Sequence, residues 1–286
     1  LKYRPTSLLL GVATPGGWMP GHWRAWIIEA IEDGLEIVNG LHGFLSDDAE
    51  LVRLAHHHGA RLWDVREPPS PIPLCSGKAL DAPQQVVLTV GSDCAVGKMT
   101  VSLELVASAQ VAGTKAEFVA TGQTGILIAG RGIAIDRVIG DFVAGAAEKL
   151  VLDADPGSEA LVVEGQGSLW HPAYAAVTLG LLYGCAPEVM VMCHQLGREA
   201  IEEPPYTPLP PLTEMIRMYE GMAATVRPSR VACVAVNCTG LSRENARREV
   251  LRIEADTGLP AGDVFAGDAP KLWSAVGAAL PQRAKK

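Results

Sequence analysis

The chain has no paired cysteines of the metal-binding kind. Its six cysteines, at positions 75, 94, 185, 193, 233 and 238, include no CxxC pair, which excludes a zinc ribbon and a disulfide framework. Cys193 and Cys233 stand in strand-like apolar runs, where a thiol acts as a small buried hydrophobe, and a reducing, cytoplasmic compartment follows. A basic excess is missing too. With a net charge of −8 there is nothing to displace counterions from a nucleic-acid backbone, so no nucleic-acid partner is expected. The longest apolar stretch, residues 175–193, is broken by Gly180, Gly184, Pro187 and Glu188, so neither a span nor a membrane partner is expected. Internal repeats and low-complexity tracts are absent, and no signal peptide is visible. The chain opens on Leu1, so an upstream piece is expected to be missing.

What is present describes an ordered α/β protein. Of 286 residues, 48% are hydrophobic and 20% charged, enough to bury a core in two domains. Strands are expected over 7–14 (buried, ending in a Pro15-Gly16-Gly17 turn), 35–39 and 61–65. Helices alternate with them over 22–34, with Trp23, Trp26, Ile27, Ala30 and Ile31 on one face, and over 47–58, capped by Ser46. This rhythm implies a parallel, Rossmann-like sheet. The proline cluster from Pro68 to Pro73 reads as a linker. The expected division is therefore an N-terminal Rossmann-like domain over 1–72 and a second parallel-sheet domain over 73–286. In the second, strands are expected over 85–90, 117–120, 160–163, 189–193, 231–236 and 263–265, and helices over 98–111, 141–152, 212–226, 242–257 and 269–280.

The most informative segment follows the strand at 85–90. Gly91, Ser92, Asp93, Cys94, Ala95, Val96 and Gly97 form a loop, and Lys98, Met99 and Thr100 open an amphipathic helix. Glycines let backbone N–H groups converge, a helix N-terminus favours negative charge, and lysine reaches phosphates, so this is a phosphate-binding P-loop. It departs from the common pattern twice. Five residues instead of four separate Gly91 from Gly97, and Met99 replaces the hydroxyl that normally holds Mg²⁺. A thioether is a poor ligand for that hard cation. Thr100 lies about 100° further round the helix, given roughly 3.6 residues per turn. The loop thus supports phosphate binding, and metal-dependent phosphoryl transfer only weakly.

Other strand ends supply candidates. Glu164 closes the 160–163 strand on the sheet edge where α/β proteins bind ligands, and reads as a general base or an outer metal partner, against a solvated strand-end carboxylate. Thr121, Gln123 and Thr124, in a glycine-flanked turn, offer hydrogen bonds to a substrate carboxylate or a pantetheine-like amide; a plain turn is the other reading. Asn237 presents the donor and acceptor that an adenine edge requires. His171 and His194 follow strands and are the alternative bases, with Arg198 as a bidentate carboxylate holder. His56, His57 and His58 point to different helix faces and form no metal site; none is expected.

These strings resemble known families. The long loop Gly91–Lys98 with Val163-Glu164-Gly165 resembles the dethiobiotin synthetase branch of P-loop proteins. More specifically, the segments 40–46, 63–66, 91–100, 118–125, 163–168 and 171–174 resemble the D-glutamate N-acetyltransferase (DgcN-like) family, long catalogued as a domain of unknown function. The resemblance runs from about Ser7 to the C-terminus and implies a Rossmann-like domain joined to a P-loop domain, with the first truncated at its start. It also implies acetyl transfer from acetyl-CoA to the amino group of D-glutamate, an acidic amino acid, in an enzyme expected to be a homo-oligomer. Coenzyme A carries a phosphorylated ADP portion, so a P-loop can hold it without phosphoryl transfer. The alternatives are an ATP- and Mg²⁺-dependent ligase or kinase of the dethiobiotin synthetase type, with Thr100 on the metal, and a protein that only binds nucleotide.

Overall fold

Hydrophobic periodicity builds two separate parallel sheets. The computed structural model describes residues 3–12, 19–202 and 206–282. In chain order the elements are β1 (Ser7–Leu10), α1 (Trp23–Glu32), β2 (Glu36–Asn39), α2 (Ala49–His58), β3 (Leu62–Asp64), β4 (Gln85–Gly91), α3 (Lys98–Val111), β5 (Ala116–Val119), α4 (Gln123–Ala129), α5 (Val143–Leu152), β6 (Ala160–Val163), α6 (Ala175–Cys185), β7 (Val189–Gln195), α7 (Leu212–Ala223), β8 (Arg230–Asn237), α8 (Arg243–Thr257), β9 (Ala261–Gly262) and α9 (Ala269–Ala279). Two compact units result: Leu1–Ser70 with Gly122–Arg137, and Pro71–Thr121 with Val138–Lys286. A segment that the expected division assigned to the second domain, 122–137, therefore belongs to the first unit. No helix among the described residues is long and apolar enough to cross a membrane.

The first unit carries a three-stranded parallel sheet in the order β1-β2-β3. Its core is aliphatic: Ile27, Ile31, Ile37, Leu45 and Leu51 are buried together. β1 is not the buried strand expected. It ends at Leu10, lies at the sheet edge, and exposes Ser7 and Leu9, because an edge strand has a neighbour on one side only. The expected end of that strand at 13–14 and the Pro15-Gly16-Gly17 turn lie outside the described residues. Trp26 is 56% exposed, off the buried face of α1. The cap of α2 is Asp48, which accepts from the N–H groups of Glu50 and Leu51. Ser46 is instead drawn into a 3₁₀ turn whose N–H groups, from Leu45 and Ser46, donate to the Asp64 carboxylate at 2.9 and 3.0 Å. Asp64 also receives Asn39 Nδ2 at 2.7 Å, which orders the 40–46 string.

The second unit carries six parallel strands in the order β5-β6-β4-β7-β8-β9. β4 is buried from Val86 to Gly91, since helices cover both faces of such a sheet. On one face Val87, Val191 and Cys193 pack against Leu105 of α3 and Leu272 and Trp273 of α9. The chain runs to one side of β4 for β5 and β6, then crosses to the other for β7. The loop after β4 therefore opens at the switch point, where strand C-termini leave a crevice. Two local expectations change, one in each unit. Residues 263–265 are not a strand: β9 stops at Gly262, and Asp263 caps a 3₁₀ turn by accepting from Phe265 N at 2.9 Å. Gln123 and Thr124 do not close a turn but open α4.

Candidate active site

The loop from Gly91 to Gly97 takes its shape from backbone geometry. Ala95 sits at φ 53°, a left-handed conformation that costs a non-glycine residue, and Gly97 at φ 104°. Alternation of this kind turns successive N–H groups inward and makes an anion-binding concavity. Lys98 crosses behind the loop and is buried, its Nζ donating to Asp93 O at 2.7 Å. A Cβ at Gly91 would lie 2.9 Å from that Nζ and 3.0 Å from Asp93 O, so a side chain there would crowd the loop. Burial lowers the Lys98 pKa. Asp93 is buried: burial works to raise its pKa, but the Arg198 guanidinium at 2.8 Å and the N–H groups of Glu202 and Cys94 outweigh this and hold it below the usual carboxylate range.

Glu164 faces the loop. It is 4% exposed, one carboxylate oxygen accepts from Thr121 N at 2.9 Å, and its carbonyl accepts from Thr121 Oγ1 at 2.7 Å. Gly165 follows and donates its N–H to Thr89 Oγ1 at 2.9 Å. A cavity of about 270 Å³ is lined by Cys94, Lys98, Met99, Thr100, Glu164 and Gln166, among others. The loop, Met99, Thr100 and Glu164 are thus brought together, with Thr121 braced against Glu164. Gln123 and Thr124 belong to the first unit.

The two histidines part company. His171 is 1% exposed; its Nδ1 accepts from Ala173 N at 3.2 Å, so the neutral ring carries its proton on Nε2. That makes it a donor, not the base expected. Nε2 is buried and has no hydrogen-bond partner. A ring nitrogen of His171, Cys94 Sγ and an Asp93 carboxylate oxygen lie within 4.8 Å of one another. His194 lies inside β7, its Nδ1 2.9 Å from Ser92 Oγ. Burial and the charges of Arg198 and Arg252 push its pKa down to about 4. It does not line the loop cavity; it opens on a second one, about 560 Å³, with Arg198, Met215 and Arg252.

Arg198 and Asn237 are already engaged with the protein. Instead of awaiting a substrate carboxylate, Arg198 binds Asp93, Cys94 O, Gln195 and Glu202 at 2.8–3.2 Å. Asn237 Oδ1 accepts from the N–H and hydroxyl of Thr239, closing its own turn, and so is not the ready acceptor expected for adenine. Its Nδ2 stays beside the loop, 4.0 Å from where a Gly97 Cβ would be. Tyr219 escaped sequence reasoning because no motif marks it. Fully buried on α7, its hydroxyl donates to Gly91 O at 2.8 Å and accepts from Leu169 N at 3.2 Å. Burial pushes its pKa up to about 12, so it remains a phenol.

The chain is similar to known proteins over most of its length. Family models described as domain of unknown function (DUF1611_N) Rossmann-like domain and domain of unknown function (DUF1611_C) P-loop domain match residues 1–68 and 73–273. A protein named D-glutamate N-acetyltransferase from Pseudoalteromonas sp. is 40% identical over 263 residues, covering 92% of this chain and 78% of that protein. One of the same name from Tritonibacter scottomollicae is 36% identical over 273 residues, covering 95% and 81%. The crystal structure of a DUF1611 family protein from Anabaena variabilis matches with a TM-score of 0.92 at 38% identity, covering 97% of this chain and 81% of that one.

Proposed function

We infer the reaction from a chain that belongs to the DUF1611 family and is, like its curated relatives, an N-acetyltransferase: we propose that it moves the acetyl group of acetyl-CoA to the amino group of D-glutamate or a similar acidic amino acid. The observation that carries the donor is a phosphate loop with Met99 where a magnesium ligand would stand, sharing one cavity with buried Glu164. The loop N–H groups and Lys98 hold the phosphates of coenzyme A, which needs no phosphoryl transfer and hence no metal-bound hydroxyl. An amino acid arrives as an ammonium ion, so a base must free its nitrogen; Glu164 takes that proton. A cytoplasmic location belongs to the same reading, since that is where acetyl-CoA is plentiful. Thr100 on the cavity wall favours the ATP-dependent ligase as the second reading.

One experiment separates the two. With acetyl-CoA and D-glutamate, free CoA thiol should appear in step with N-acetylated product, undiminished by EDTA and without ATP. Titration calorimetry should show Lys98→Ala weakening acetyl-CoA binding roughly 10- to 150-fold, the scale of one charge-assisted hydrogen bond. ADP release matching product, or unchanged acetyl-CoA affinity in the variant, would sink the acetyl-CoA reading.

A further inference from the structure

A nucleotide whose phosphates sit on the Gly91–Gly97 loop carries its base one ribose away, so the base needs a surface beside that loop. The loop, the end of β8 and the turn after β9 meet at Gly97. The ring of Phe265 lies against this glycine: a Cβ built there would stand 3.7 Å from Phe265 Cζ and 3.8 Å from Cε2. The Asn237 amide, at the end of β8, approaches the same point with Nδ2 at 4.0 Å. Gly97 itself lines the loop cavity, so the ring and the amide flank one edge of it.

Phe265 is held out in solvent by its turn. Val264, just before it, is buried in the core with Leu105 of α3 and Leu272 of α9, and the ring that follows is 54% exposed. The Asp263 side chain accepts from Phe265 N at 2.9 Å and its carbonyl from Ala266 N at 3.0 Å, while Asp268 accepts from Asp263 N at 2.9 Å. Asn237 is fixed as well. Thr239 donates to Oδ1 through both its N–H and its hydroxyl, which sets the amide so that the donor, Nδ2, is the group nearest the loop. An inorganic anion has no use for an aromatic ring. A flat nitrogen heterocycle has, because it can stack on the π-face and accept the amide N–H at a ring nitrogen.

We propose that Phe265 and Asn237 form the base subsite of the phosphate loop, with adenine stacked on the Phe265 ring and one of its ring nitrogens accepting from Asn237 Nδ2. This rests on the loop holding a nucleotide's phosphates, those of acetyl-CoA in the reading above; ATP would bring the same base. Since Thr239 occupies Oδ1, the adenine amino group finds no acceptor on Asn237, and stacking carries the larger share of the affinity.

Calorimetry on the whole protein tests this with paired ligands. Acetyl-CoA is compared with acetyl-4′-phosphopantetheine, which keeps the arm and a phosphate but has no base, and ATP with inorganic triphosphate. Phe265→Ala should weaken acetyl-CoA binding roughly 5- to 150-fold, the scale of one base stacked on an aromatic side chain, and leave the base-free ligands unaffected. Phe265→Tyr should bind acetyl-CoA like the wild type. If Phe265→Ala fails to fold, Phe265→Leu covers Gly97 without a π-face and should show the same selective loss. Equal weakening of both members of a pair would mean that the ring only braces the loop, and would overturn the subsite. Unchanged acetyl-CoA affinity in the folded variant would also overturn it, leaving the acetyl-CoA reading in place. If the wild type binds ATP but not acetyl-CoA, the donor reading falls, and the subsite survives only if the variant loses ATP and keeps triphosphate. Binding of neither nucleotide would sink both.

Discussion

Glu164 is held in place, not solvated. Thr121 fixes one of its oxygens, and the next residue, Gly165, is bonded to Thr89, so the carboxylate cannot drift from the cavity. Glu164→Gln keeps the shape and most of the hydrogen bonding but cannot take a proton. We expect kcat to fall about 10²–10⁴-fold, the usual scale for a positioned base, with acetyl-CoA affinity by calorimetry nearly unchanged. Near-normal kcat would move the base elsewhere. His171 could not replace it without giving up the hydrogen bond from Ala173. At this scale the phosphate loop, and the place of Glu164 beside it, were legible, because glycine spacing, a lysine and a strand-end acid announce themselves in a few consecutive residues. Arg198 and Asn237 were misread because arginine and asparagine bind protein partners as readily as ligands, and the choice of partner is tertiary.

Among the elements, β6 and α3 begin and end where periodicity places them, since an apolar run and a Gly-Lys boundary leave little freedom. α4 was hidden because Gly122-Gln123-Thr124-Gly125 satisfies turn chemistry equally well. Among the described glycines, the closest backbone approach lies just past β6: a Cβ on Gly165 would stand 1.7 Å from Thr89 O in β4. Gly165→Ala must push β4 and β6 apart at the cavity wall. Overpacking of this kind costs about 1–3 kcal/mol, occasionally more, and the backbone clash places this site at the upper end. Denaturant melts should show the loss; a variant as stable as the wild type would mean the strand ends are free to part.

For the second unit as a whole, His194 imposes a pH dependence on stability. Its folded pKa is near 4 against an ordinary 6.5, so between those values the unfolded chain binds a proton the folded one refuses. Stability is therefore full above pH 6.5 and falls as pH drops towards about 4, by up to about 3 kcal/mol from this group. His194→Gln should flatten the slope of unfolding free energy with pH over that window; an unchanged slope would assign it to other groups. The residues around His194 foretold only part of this: Arg198 is close in sequence, but Ser92 is 102 positions away and Arg252 stands on α8. What the sequence by itself determined is the α/β class, the two-domain plan and the phosphate loop, each written in runs of residues short enough for propensity and periodicity to act. Only the tertiary structure decided which histidine faces Cys94, which arginine is already paired, and that residues 122–137 join the first unit. Side-chain partnership depends on strand order, and strand order is set by packing across the whole sheet.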